Sequence, residues 1–333
     1  SVAAVPLVLP SLPSLVGGLE VLGVGRVDVD GAVLVNTRWG GLDENGEPAG
    51  ESSPPPSAMA CTPLLSLTRL RARDFRVVGG VDNPANYGKF VSGKPSPLRA
   101  NRLPVPDPLK SMPVPTVAAD PANVKDTEFG GKTIVGLPLI GPPTTLQPGV
   151  YDWITVVSGK VILEPGVYII RGKEPVTQIS LSILAGEVQA PGVMFYLTNN
   201  PSFTPATGSP DNLDAETQPP SPGVLALVPS AVIDIGLLNS SYSPLQAPSS
   251  PFDGMLIYQR RHDRRPIVLV QNNIVLGGSV QGTVYAKWGH VILSGKGTYK
   301  TRVVSGTMRF ITVLDCEMSP PTLLPPATDI FLV

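Results

Sequence analysis

The chain has 333 residues, 42% hydrophobic and 15% charged, and its 25 basic and 26 acidic side chains leave a net charge of −1. No basic excess or stripe is present, which excludes the electrostatic footprint of a nucleic-acid binder. Glycine (34) and proline (39) are abundant, but the Val, Ile and Leu runs between them exclude a disordered chain, and two cysteines without a CxxC or Cys/His cluster exclude a zinc site.

Residues 1–17 read as an apolar arm punctuated by Pro6, Pro10 and Pro13, and proline at that spacing forbids a helix. No run of about 18 apolar residues, the length of a membrane span, occurs in the chain. The chain opens on Ser1 rather than Met, which fits a processed piece of a longer precursor. An arm this apolar must be buried somewhere, and Val5, Leu7, Leu9, Leu12 and Leu15 are its candidate contacts with a neighbouring copy. From Gly18 to Asn36 apolar and polar residues alternate with period two, broken at Gly23, Gly25 and Gly31, as expected for successive short strands. Those glycines lack the GxGxxG spacing of a dinucleotide loop. Strand pattern resumes over 65–80, where Arg69, Arg71 and Arg73 alternate along a solvated face. Residues 84–147 form a Pro-rich crossing, read as extended strapping along a rod and as a subdivision between two halves.

The most regular signal follows. Pro-Gly-Val recurs at Pro148-Gly149-Val150, Pro165-Gly166-Val167, Pro191-Gly192-Val193 and Pro222-Gly223-Val224, each time before an apolar strand. Proline fixes φ and glycine tolerates positive φ, so each pair turns the chain into a new strand. The spacing lies near the coil length of a β-solenoid. Tyr151 and Tyr168 both follow the phrase and are expected to stack in equivalent rungs. Further strands are expected at 176–198, 223–238 and 252–315, with a polar Pro-rich loop at 199–221, and no window carries a capped helical period. The fold expected is all-β: a right-handed parallel β-helix over 18–315, with roughly ten to twelve coils and almost no helix. An apolar Pro-rich tail, 316–333, ends in Ile330, Phe331 and Leu332, further candidate intersubunit contacts.

The strings PGVYDWITVVSGKVILEPGVYIIRGK, FDGMLIYQRR, GTVYAKWGHVILSGKGTY and VVSGTMRFITVLD, with GRVDVDGAVLVNT, FRVVGGV and LPVPDPLKSMP upstream, resemble the C-terminal region of TadG-like, Flp-pilus-assembly-type bacterial envelope proteins. The resemblance covers most of the chain in the family's order. It implies export to the envelope and a structural role, and supplies no catalytic residues. This chain departs from the family in lacking the anchor helix and in replacing several Ser-Gly-Asn turns, as at Ser158-Gly159-Lys160 and Ser294-Gly295-Lys296.

β-Helices also host polysaccharide lyases and hydrolases, whose sites need carboxylates converging in one groove. The candidates are Asp28 with Asp30, Asp152 with Glu164, and Asp211, Asp214 and Glu216, the last group also a weak calcium candidate without a DxDG-type loop. His262 and His290 lie in separate segments, and no GxSxG elbow exists. The basic run Arg260, Arg261, Arg264, Arg265 reads as a solvated turn. Tyr151, Trp153, Tyr168, Tyr196, Tyr258, Tyr285 and Trp288 serve either as coil-stacking aromatics or as a sugar-binding face. Cys61 and Cys316 can form one disulfide if the chain is extracytoplasmic. The expectation is a non-enzymatic structural subunit of a bacterial cell-surface or extracellular filament, without cofactor or metal, polymerising with copies of itself through its terminal arms. The alternatives are an adhesin or carbohydrate-binding rod and, behind it, a polysaccharide-degrading enzyme.

Overall fold

The computed structural model describes residues 17–51, 57–63, 70–91, 94–137, 141–214, 228–236, 238–272, 277–312 and 314–326. The candidate arm contacts Val5, Leu7, Leu9, Leu12 and Leu15, the tail contacts Ile330, Phe331 and Leu332, Glu216 and the fourth Pro-Gly-Val lie outside the described residues. The fold is all-β. Strands stack in parallel into a solenoid of three sheets, and the helical turns among the described residues are the short 3-10 segments Pro84–Asn86 and Asp211–Leu213.

The first sheet runs upward through 131–134, 153–156, Leu181–Ile183, Ala231–Asp234, Pro266–Asn272 and 290–296, each parallel to the next. The second runs through Thr144–Leu146, Gly159–Leu163, 186–189, Ser241–Pro244 and 279–280. The third runs through 149–151, Gly166–Ile170, 193–197, Met255–Gln259 and 283–285. Alternation explains the packing: Ile267 and Leu269 stack under Val291 and Leu293 in the main core, while Val268 and Ile292 point to the other side of the same sheet.

The Pro-Gly-Val turns are themselves stacked. Gly149 (φ 154°) and Gly166 (φ 138°) lie in the glycine region, and a Cβ on Gly166 would come within 2.6 Å of Pro148. Tyr151 and Tyr168 stack, with centroids 5.9 Å apart and an interplanar angle of 24°. Their rungs are not equivalent, however. Tyr151 is in register with Ile170, so the ring contact is diagonal, and the inner column continues from Phe129 through Tyr151 and Tyr168 to Phe195.

Spatial order departs from chain order. After the strand pass at 308–312, the next rung of the first sheet is Gly17–Gly23, with Leu19 beside Met308 and Leu22 beside Ile311, and Ser57–Pro63 stacks on that. In the second sheet 297–299 is followed by Cys316–Met318, then 27–29, then 70–72 and Tyr87–Lys89. The N-terminal strands therefore continue the rod beyond its C-terminal coil. Residues 17–102 form a cap on a body made by residues 128–318. The first and last of the described solenoid strands, Gly17–Gly23 and Cys316–Met318, each have a strand on both sides and so lie within the rod and not at its tips.

The Pro-rich crossing makes this order possible. Arg102 N donates to Val77 O at the cap. Asn36 holds Val105 by two hydrogen bonds, 2.6 and 2.9 Å. Below, Tyr285 OH donates to Asp107 (2.8 Å), Ser250 Oγ to Asp120 (2.5 Å), Val167 N to Asn123 O and Val150 N to Thr127 O. Residues 103–127 thus descend the whole body as a strap over the third sheet, and Leu109, Met112 and Val124 seal a second apolar layer outside the main core. The strap is shorter than the crossing read over 84–147, which also holds the strands Tyr87–Lys89, Leu98–Arg99, Glu128–Ile134 and Thr144–Leu146.

The tail expected to begin at residue 316 contributes the strand Cys316–Met318 to the rod before it leaves. It then folds back on its own body: Ser319 N donates to Tyr299 O, and the backbone of Leu323 and Leu324 passes so close to Gly254 (φ 77°) that a Cβ there would clash at 2.8 Å. Cys61 and Cys316 are buried free thiols on strands of different sheets, and burial pushes both thiols up to about 12. The structure contains no bond between them.

Candidate functional site

Two of the sequence-named carboxylate groups do not form a shared site. Asp28 and Asp30 share a strand face, and each faces an arginine of the next rung: Asp28 accepts two hydrogen bonds from Arg71 at 2.6 Å, and Asp30 pairs with Arg73. Asp152 pairs with Arg171 (3.1 Å), which also holds Glu128. Of the arginines read as a solvated stripe, Arg71 and Arg73 are counter-charges to the neighbouring strand, and Arg69 lies outside the described residues.

A denser cluster lies where the loop 199–214 meets the turn after Met255–Gln259. Arg260 grips Asp214 through Nε (2.8 Å) and Nη2 (2.7 Å) and approaches Asp211 at 3.2 Å. Asp211 is buried and accepts a hydrogen bond from Tyr196 OH at 2.7 Å; burial, as the largest cause, raises its pKa above the usual carboxylate value. His262 Nδ1 sits 3.3 Å from Asp214. Arg265 pairs with Asp263 (2.9 Å) and reaches Ser180, while Arg261 donates to the carbonyls of Leu109, Lys110 and Met112 in the strap and lies 5.9 Å over the rings of Tyr258 and Tyr285. The basic run is therefore a clamp and not a solvated turn. Its acids come from a loop some fifty residues upstream, a pairing that no local pattern reports. A cavity of about 210 Å³ beside Thr198, Asn199 and His262 is the space left. With Asp214 hydrogen-bonded to Arg260 and Asp211 to Tyr196, the cluster can fix a loop and a strap to the rod.

The tyrosines do not present a sugar-binding face. Tyr151, Tyr168, Tyr196, Tyr258 and Tyr285 are all 0–1% exposed. The first two belong to the inner column; the other three form an outer column under the strap, with centroid separations of 5.1 and 5.3 Å and hydroxyls that reach Asp211 and Asp107. Trp153 donates to Thr133 Oγ1 (3.2 Å). His290 is buried, its Nδ1 2.7 Å from Thr307 Oγ1, and burial with the nearby Arg309 charge lowers its pKa to about 3. Among the described residues no group of three or more His, Cys, Asp or Glu is placed to hold a metal ion, and no helix is long and apolar enough to cross a membrane.

Two further places stand out on the rod. At the lower tip, the strands at 131–134 and Thr144–Leu146 each pair on one edge only among the described residues. They surround a mouth of about 760 Å³ floored by Phe129, Leu146 and Tyr151 and rimmed by Lys132, Gln147 and Glu164. Val135 and Leu137 stand 72% and 69% exposed at the end of the same strand pass, which adds apolar surface to this tip.

The second place is the joint between cap and body, which sequence reasoning missed. Glu20 and Arg309, both buried and in register, form an ion pair across it, and Gly17 N donates to Glu20 (2.9 Å). Thr312 Oγ1 donates to Leu22 O (3.1 Å), and Arg26 bridges to Asp315 (3.2 Å). Gly23 (φ 114°) and Gly25 lie against the backbone of Thr312 and Leu314, where a Cβ would come within 1.9 and 2.0 Å of their carbonyl oxygens. Their role is close approach between rungs. An isolated glutamate inside the apolar run 17–23 was the one sequence signal that something must meet it. Compared with protein-family models, with curated proteins and with solved structures, the chain finds no match.

Proposed function

We propose that this chain is a non-enzymatic structural subunit of a bacterial cell-surface or extracellular assembly, built by contacts between copies of the rod. The observation that carries this reading is the lower tip, where strand edges without a partner among the described residues coincide with exposed apolar side chains. A solenoid end without a cover invites further pairing. The carboxylates that might have made a hydrolase or lyase are held by Arg71, Arg73, Arg171 and Arg260, which favours a scaffold over a catalyst. The buried tyrosines weigh against the adhesin alternative, which called for an exposed aromatic stripe. The resemblance to TadG-like envelope proteins supports the location.

Negative-stain electron microscopy of native material, with mass photometry of the same sample, tests this. Regular filaments or lattices and masses above one chain are expected. Dispersed rods of single-chain mass across the micromolar range would reject the reading.

A further inference from the structure

We propose that the cap is exchangeable: residues 17–102 of one copy dock on the body of a second copy, through the same joint that they form within one chain. The inference rests on the reading of the chain as an assembly subunit, and it names the interface. Along the chain, the cap is tied to the body only through the link Leu103-Pro104-Val105-Pro106. On the cap side, Arg102 and Val105 are fixed to Val77 and Asn36. On the body side, Asp107 is fixed to Tyr285 and Lys287, and every lower part of the strap is bound to its own body. Leu103, between them, is 88% exposed. The link is short and its prolines are stiff, and an exchangeable module on such a hinge is a low-cost route to oligomers.

The joint itself does not depend on which chain supplies the cap. Five register pairs between 19–23 and 308–312 and three between 27–29 and Cys316–Met318 join strands that no turn connects. The cap is also synthesised before residues 308–318 exist, so its lower edge starts without a template. A four-residue link spans roughly 13 Å when extended. Exchange therefore needs two rods side by side with their links facing, which gives a two-fold pair with parallel rods. A short link also gives the cap an effective concentration on the order of millimolar on its own body. Dilute protein closes on itself, and exchange competes where bodies are crowded, as in an assembly.

Val27 and Cys316 are buried and in register across the joint, which makes a test available. One copy carries Val27→Cys with Cys316→Ala, a second, differently tagged copy is unchanged, and the two are co-expressed and oxidised. A covalent heterodimer in the assembled fraction, lost when the second copy carries Cys316→Ala, is the expected result. A single chain with Val27→Cys that closes its internal bond, while the co-expressed pair yields no heterodimer, overturns the proposal. The same split with Leu22→Cys on one copy and Ile311→Cys on the other reads the neighbouring sheet, so a bond that fails to close for geometric reasons at one position is read at the other. Filaments without heterodimer reject cap exchange and leave the structural reading standing. Single rods with internal bonds only reject both.

Discussion

Two joints of the first sheet solve the same problem differently. Between Pro266–Asn272 and 290–296 the chain itself connects the strands, and the middle of the contact is aliphatic: Ile267 with Val291 and Leu269 with Leu293 inside, Val268 with Ile292 outside. Between 308–312 and Gly17–Gly23 no turn connects the strands, and the contact carries Glu20–Arg309, the Thr312 hydroxyl and two glycines against backbone. A slip of aliphatic stacking loses packing but leaves no charge without a partner. A buried ion pair does not tolerate it, since a slip leaves two charges without partners. Where covalent connection is missing, directional contacts supply the register.

Breaking the two joints should therefore have different consequences. Arg309→Met leaves the Glu20 carboxylate buried and should cost about 3–5 kcal/mol in urea unfolding. The double variant Glu20→Leu/Arg309→Met should recover most of that loss. If register depends on the pair, the double variant should also give slipped or heterogeneous caps, read by amide exchange of residues 17–23. Leu269→Ala in the covalent joint should cost about 2–4 kcal/mol through its cavity and leave exchange of residues 17–23 unchanged. Equal effects of the two single substitutions on those amides would remove the distinction.

A smaller effect comes from His290, whose rung lies beneath the joint. Its folded pKa is lowered from 6.5 to about 3, so the folded protein binds fewer protons than the unfolded chain between those values. The stability it confers is present above pH 6.5 and is lost as pH falls toward 3. Lowering the pH from 7.5 to 5 should cost about 2 kcal/mol from this residue, and His290→Asn should flatten that part of the profile. The range stops at pH 5 because the carboxylates titrate below it. An unchanged profile in the variant would show that the imidazole is hydrated or that another group sets the dependence.

The sequence made the solenoid legible because its marks are local. Pro148-Gly149 and Pro165-Gly166 announce turns, and the period of two announces strands. Which strand lies beside which is not local. The alternation in 18–36 would suit any parallel neighbour, so nothing in it placed Gly17–Gly23 against 308–312. The diagonal contact of Tyr151 with Tyr168 was hidden for the same reason: equal distance from a turn does not fix register. The candidate site shows the other limit. Arg260 and Arg261 looked solvated because Asp214 and the strap carbonyls arrive from far along the chain. The strap did carry a mark, since Leu109, Met112 and Val124 among its prolines are apolar residues that a solvated linker has no reason to keep.

The smallest expected effect separates the link from the joint. Asn36 closes two hydrogen bonds on the backbone of Val105, the last point at which the cap holds the strap. Asn36→Ala removes both and strands no charge. The freed groups lie near the surface, where water can replace the lost partner. The expected cost is about 1 kcal/mol, a shift of one or two degrees in thermal unfolding, with no change in the amide exchange of residues 17–23. What should change is the link: with Val105 released, its backbone amide should exchange faster and cleavage by a broad-specificity protease should move to 103–106. A larger loss, or exposure of 17–23 in the same variant, would mean that link and joint open together. The cap would then be held by its tether as much as by its rungs, and the contrast between a connected and an unconnected joint would fail.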